Sequence, residues 1–320
     1  MRENRAMNAK EFRTLLKRAG EFTDAQRKKL ITTLEKQQTN RKQAEELINT
    51  AQERPMCPHC GESSVKVGTN KGLQRYRCKV CRKSFNSLTG TPFARLRMKE
   101  KWSDIYEGFK QGETLLEMSE RLDVCVDTAF RWRHRFLKGL GAPGNPRLGG
   151  IVEADETFFR FSQKGSRSLE RKPHRRGESS GQTGLSFDFV TVWVARDRSR
   201  QTAHSVSRHR DYFFLKGFLK PLIQQDSILC TDGKKGYAKF SRGEALQHVA
   251  LNGRKIQGVY HINNVNNYHQ RLKRWIVSLN GVATKYLPNY LELFRFKSRL
   301  SEGLTDFNPQ QLLRTAILIT

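Results

Sequence analysis

Apolar positions follow two rhythms along this chain, and the change between them falls near residue 150. Before it the spacing is helical. Phe12, Leu15, Leu16 and Phe22, then Leu30, Ile31 and Leu34, recur at helical intervals within residues 1–52, a stretch otherwise polar and mixed in charge. This predicts a helical arm; the pattern does not separate a solvated extension from an arm that holds a partner. Further on, Trp102, Ile105, Tyr106 and Phe109 form one apolar helix face, and Thr114-Leu-Leu-Glu117 carries the residues of a capping box. Asp127 to Arg135 makes a third, basic helix, so residues 101–140 read as a helix-turn-helix, with a plain three-helix module as the alternative. Gly139 to Gly150, with Pro143 and Pro146, predicts a loop that closes the module, and residues 141–150 form a linker.

After the linker the period shortens to that of strands. Ile151 to Phe159 is a strand expected to end at Asp155, and Phe187 to Ala195 with Gln201 to Val206 form a hairpin around the polar turn Arg196 to Arg200. Phe213 to Ile223 is an amphipathic helix, Ser227 to Thr231 a buried strand, Gln247 to Leu251 another, and a polar helix starts at Asn266. The order β-β-β-α-β-α-β-α is that of an α/β ribonuclease-H-like core over residues 151–305, with 306–320 as a C-terminal tail; a generic α/β domain is the alternative.

Composition adds the partner. Lys and Arg outnumber Asp and Glu by 59 to 31, a formal charge of +28, which makes a polyanion the natural partner and nucleic acid the first expectation. An anionic membrane surface or ribosomal packing would also suit the charge. No apolar run is long enough for a span, and Met1 to Lys10 has no hydrophobic signal region, so a cytoplasmic protein is expected. The hydrophobic share is low at 37%, yet the Phe, Val, Ile and Leu past residue 150 suffice for one core there.

Four of the six cysteines stand as Cys57-Pro-His-Cys60 and Cys78-Lys-Val-Cys81, 17 residues apart. Two residues between thiols let both sulfurs reach one tetrahedral ion, so residues 53–100 read as a zinc ribbon holding structural Zn2+, with His59 a bystander. Gly72, with the alternating Tyr76 and Cys78, fits a hairpin in the gap. Between Met56 and Glu100 ten Lys or Arg face only Glu62 and Glu100, a basic surface for a polyanion. In the third helix Arg131, Arg133, His134 and Arg135 are the residues expected to reach phosphates or base edges, while Phe130 and Trp132 pack.

Asp155 and Asp232 each close an apolar strand-like run. Hard Mg2+ or Mn2+ prefers carboxylate oxygens, and two carboxylates at the ends of adjacent strands would share such an ion. Strand alternation puts Glu153 beside Asp155 as a possible helper and Glu156 on the other face.

Taken together, the zinc ribbon, the helix-turn-helix, Val152-Glu-Ala-Asp155-Glu156-Thr-Phe158, Thr231-Asp232-Gly233, His261-Ile-Asn263-Asn-Val-Asn266 with Lys273 seven residues on, and Tyr290-Leu-Glu-Leu-Phe294-Arg-Phe296-Lys297 resemble the zinc-ribbon DDE-type transposases of bacterial insertion sequences. The resemblance covers roughly residues 50 to 300. It implies Asp155, Asp232, Asn266 and Lys273 as the catalytic set, a DDNK branch in which Asn266 replaces the usual Glu. It also implies a metal-dependent DNA transposase that binds terminal inverted repeats and target DNA as a homodimer.

Asn266 and Lys273 share a helix face, with Val265, Leu272, Ile276 and Leu279 striping the side toward the sheet. Asn cannot supply the charge of Glu, so Glu153, Glu156 or Glu292 would compensate. The second reading is a catalytically inactive zinc-dependent DNA-binding protein or regulator derived from a transposase. Residues 160–184, rich in Lys, Arg, Ser and Gly, read as a loop that either orders on DNA or stays solvated.

Overall fold

The structure, a computed structural model, describes residues 7–51, 55–169, 189–251 and 256–318. The chain divides into two compact units, Met1–Ala142 with Arg299–Thr320, and Pro143–Ser298. The division falls inside the proline-containing linker expected at 141–150.

In the first unit α1 (Ala9–Arg18) and α2 (Asp24–Thr50) each open with a capping box, Asn8 with Glu11 and Thr23 with Gln26. Each box satisfies amides that would otherwise lack partners, so local hydrogen bonding starts these helices. Burial contributes little to α1 and the first half of α2, where Phe12, Leu16, Ile31 and Leu34 are exposed, whereas the second half of α2 buries Ala44 and Ile48. A three-stranded antiparallel sheet follows, ordered β1 (Ser64–Asn70), β2 (Leu73–Cys78), β3 (Ser84–Phe85). Asn70 pairs with Leu73, so Lys71 and Gly72 alone make the turn, with φ of 51° and 79°. Two left-handed residues match the twist of a hairpin, and Gly adopts that region without a Cβ penalty.

Three helices come next: α3 (Trp102–Gln111), α4 (Leu115–Arg121) and α5 (Val126–Leu140). Thr114 caps α4 with Glu117, as its sequence indicates. Phe136 of α5 sits against Phe93, Tyr106 and Trp102, with ring centroids 4.9, 5.2 and 6.0 Å away. All four rings are buried, and each contributes about 1.5–3 kcal/mol of apolar transfer, so this cluster fixes how the three helices pack.

The second unit is built on a five-stranded sheet of β4 (Ile151–Arg160), β5 (Phe189–Asp197), β6 (Thr202–Ser207), β7 (Ile228–Thr231) and β8 (Gln247–Ala250), ordered β6-β5-β4-β7-β8. β4, β5 and β6 pair antiparallel; β4, β7 and β8 pair parallel. The helices are α6 (Tyr212–Leu219), α7 (Lys235–Gly243), α8 (Asn263–Ser278) and α9 (Leu287–Ser301). This mixed α/β sheet is compatible with a ribonuclease-H-like core, and the elements follow the anticipated β-β-β-α-β-α-β-α order.

Alternation along β4 decides what each face of the sheet carries. Val152 and Ala154 join Trp193, Leu215, Leu219, Leu229, Tyr237 and Phe240 in a core under α6 and α7. Glu153 and Asp155 point the other way, toward α8, which contacts β4 and β5. Buried Val265, Tyr268 and Leu272 form the inner side of α8, and Tyr268 meets Phe294 of α9 with centroids 5.0 Å apart.

Three expectations differ from the structure, the smallest being that the polar helix expected from Asn266 already begins at Asn263. The first strand does not end at Asp155 but runs to Arg160, because β5 continues to pair with it through Phe189. The expected tail 306–320 holds α10 (Pro309–Leu318), whose Leu313, Ala316 and Ile317 are buried within the first unit. Its spacing is helical, but the surfaces it covers lie far back in the chain. Most of the expected loop 160–184, from residue 170 on, lies outside the described residues.

Candidate active site and zinc centre

The parallel ladder between β4 and β7 ends at the pair Glu153–Cys230. Two residues further along each chain stand Asp155 and Asp232, so carrying the register forward sets them opposite one another. Beyond that point the edge of β4 is open, and Glu156 reaches the same place from the opposite face. Asp155, Glu156 and Asp232 each offer an oxygen, and all three lie within 4.8 Å of one another.

Two local features hold this triad. Gly233, at φ 88°, lets the chain turn back directly after Asp232, and the Lys234 amide donates to Asp232 Oδ1 at 3.2 Å. The Lys234 side chain then lies over the carboxylates. Its Nζ is 2.6 Å from Glu156 Oε2, 3.1 Å from Asp232 Oδ2 and 3.9 Å from Asp155 Oδ1. On the α7 side, buried Tyr237 hydrogen-bonds Glu156.

Burial pushes the Asp155 carboxyl up to about 7; Lys234 opposes the rise, while Glu156 and Asp232 add to it. On the α8 side, His269 Nδ1 lies 3.7 Å from Asp155 Oδ2. Burial holds His269 down to about 3, with the charges of Lys273 and Lys234 adding, so its ring is neutral beside Asp155. Its buried Nε2 has no hydrogen-bond partner among the described residues.

Asn266 and Lys273 are both exposed on α8, three residues before and four after His269, as the shared-face expectation requires. They share a stripe with the residue that touches Asp155. Glu153 does something different from helping a metal. It is fully buried, and Arg198 at 2.8 Å, the Asn264 side chain at 2.9 Å and the Val265 amide at 2.9 Å all converge on it. It is the anchor that ties the first turn of α8 to β4. Glu292 is engaged with His204 at 3.1 Å and with Arg295 at 2.5 Å.

His269 and Lys234 were not among the residues singled out from sequence. For His269 the signal was available, since it lies three residues after Asn266 on the same helix. Glu156 was assigned to the far face, and alternation does place it there. What alternation omits is that β7 stops short and leaves a long side chain free to come round the edge.

The donor set suits a hard divalent cation, because it consists of carboxylate oxygens already close enough to share an ion. The four-cysteine cluster is equally defined. Cys57 and Cys81 Sγ are 3.6 Å apart, Cys60 and Cys78 Sγ are 3.5 Å apart, and the four are free thiols within 4.8 Å of one another. A tetrahedron with Zn–S bonds of about 2.3 Å has edges of about 3.8 Å, so the cage fits zinc. Backbone amides of Val80 and Cys81 both donate to Cys78 Sγ at 3.3 Å, which favours its thiolate form. His59 is exposed and outside the cage.

On α5 the four expected contact residues divide. Arg131 and Arg135 are exposed, four residues apart on one face. Arg133 and His134 are buried: Arg133 donates to the Glu113 carbonyl at 2.5 Å, and burial holds His134 down to about 4, hence neutral. They lie on the inward face with Ala129, Trp132 and Phe136, so packing takes them away from any phosphate in this structure.

Comparison with known proteins bears on this site. Residues 147–299 match the ISXO2-like transposase domain, a span that includes all three carboxylates and all of α8. A Halobacterium salinarum relative described as an uncharacterized protein in transposable element ISH50 is 28% identical over 269 residues, covering 82% of this chain and 91% of its own length. That coverage extends the similarity through most of the first unit. Among solved structures, a chain of the simian T-cell lymphotropic virus intasome in complex with PP2A regulatory subunit B56 gamma is similar over 46% of this chain and 48% of its own, with 12% identity and a TM-score of 0.30. A likeness that slight carries no argument.

Proposed function

We propose that this protein is a DNA transposase that binds the ends of its element and catalyses metal-dependent strand cleavage and strand transfer. The observation that carries the reading is the convergence of Asp155, Glu156 and Asp232 at the open ends of two parallel strands inside a transposase domain. When bound there, Mg2+ or Mn2+ supplies Lewis-acid stabilisation of the charge that develops on a scissile phosphate. Asp155 and Asp232 are its principal ligands, and Glu156 provides the third carboxylate that Asn266 does not.

Lys273 faces solvent on the same helical stripe as Asn266 and pairs with the phosphate; Asn266 hydrogen-bonds DNA or offers a neutral oxygen to the metal. Neutral His269 packs against Asp155 and sets its orientation. The zinc-loaded ribbon and α5, through Arg131 and Arg135, engage double-stranded DNA at the terminal inverted repeats. Two ends must be joined, so the working form is a homodimer on DNA in the cytoplasm. No helix among the described residues is long and apolar enough to cross a membrane.

The test is a strand-cleavage assay on DNA carrying the sequences that flank the coding region. Release of a 3′-hydroxyl end that requires both divalent metal and Asp155 supports the reading. Tight end binding with no cleavage under Mg2+ or Mn2+ would favour the inactive DNA-binding descendant, for which the neutral Asn266 is the motivating residue.

A further inference from the structure

Lys234 lies where a metal ion would lie. Its ammonium is 2.6, 3.1 and 3.9 Å from oxygens of Glu156, Asp232 and Asp155, the same three side chains that converge within 4.8 Å. A divalent ion bound by those oxygens at about 2.0–2.1 Å would occupy the same small volume and repel the ammonium. The two cations therefore exclude one another.

The backbone and the side chain of Lys234 differ in freedom. Its amide is fixed on Asp232 Oδ1 at 3.2 Å by the turn at Gly233, and it sits directly before α7. Its side chain is 49% exposed and carries four rotatable carbons, so it can leave the carboxylates without moving the main chain.

We propose that Lys234 is an internal counter-ion that holds the three carboxylates together before metal arrives, competes with the divalent ion for them, and so links metal loading to the arrival of a nucleic-acid phosphate. The inference rests on the reading of Asp155, Glu156 and Asp232 as a metal site. Without Lys234, three carboxylates so close would repel one another. With it the site is assembled but occupied. A DNA phosphate near the site gives the displaced ammonium a new partner, so DNA and metal each raise the affinity for the other. Lys234 acts on the ligands and is a positioning residue.

Mn2+ affinity of the zinc-loaded full chain, followed by electron paramagnetic resonance and by calorimetry, tests this without reference to turnover. Lys234→Met is expected to bind Mn2+ at least about tenfold more tightly than the wild-type protein, because one unit charge a few ångströms from the ion is removed. Lys235→Met removes the same charge from the adjacent exposed position and is expected to change affinity by less than about threefold. Adding short duplex DNA should tighten Mn2+ binding in the wild type and add little in Lys234→Met. Without metal, Lys234→Met should melt below the wild type and regain the difference on Mn2+ addition. Should it fold poorly, Lys234→Gln carries the same expectations. Equal Mn2+ affinity in wild type and Lys234→Met, or weaker binding in the variant, overturns the counter-ion role alone. Mn2+ binding unaffected by Asp155→Asn and Asp232→Asn overturns the metal site, and the counter-ion role with it.

Discussion

Glu153 and Asp155 lie two residues apart on one face of β4, in different surroundings. Glu153 is fully buried yet ringed by Arg198, Asn264 and the Val265 amide, so its charge is matched. Removing it takes the ion pair from Arg198, which keeps its bonds to His261 and Val259, and leaves the buried Val265 amide and the Asn264 side chain without their acceptor. Glu153→Ala is therefore expected to destabilise the protein by about 3–5 kcal/mol in urea unfolding, whereas Asp155→Asn, which relieves repulsion at the triad, should change stability by about 1 kcal/mol or less. Equal losses in the two variants would contradict the division of labour. Strand alternation made the shared face of these residues legible from sequence. Their different surroundings were not legible, because they depend on where β7 ends and where α8 begins.

At the scale of elements, local chemistry read well and long-range contact did not. Capping residues at Thr114 and Glu117, the Lys71-Gly72 turn and the cysteine spacing all act within a few residues, and the structure carries each of them. In α5 the run of basic residues was plain, but which of them face outward follows from the stripe Ala129, Trp132, Phe136, on whose side Arg133 falls. Helix α10 was missed because its partners are more than a hundred residues away.

The ribbon gives this scale its prediction. Among the described residues its own apolar cluster is small, Cys57, Cys78 and Cys81 with the aromatic pair Tyr76 and Phe85 at 5.8 Å between centroids, and outside that cluster β2 contacts α2. So little core requires a metal. About one zinc per chain is expected by elemental analysis, and Cys78→Ser should lose both the zinc and the protease resistance of residues 55–90. A zinc-free preparation with an intact ribbon would contradict this.

At the scale of the whole molecule, the net charge of +28 meets a unit that matches the ISXO2-like transposase domain and groups its carboxylates in one place. End binding should weaken steeply with salt; six or more phosphate contacts predict a loss of about a thousandfold between 50 and 200 mM. A flat response would assign the charge to another partner. The most direct test of the central claim is metal-dependent cleavage of element-end DNA by the wild type beside Asp155→Asn, Asp232→Asn and Asn266→Asp, with binding measured on the same samples. The account predicts cleavage by the wild type, loss of at least about a hundredfold in both aspartate variants with end binding retained, and reduced activity or altered metal preference in Asn266→Asp. Wild-type protein that binds its ends but never cuts, with cleavage appearing only in Asn266→Asp, would contradict it.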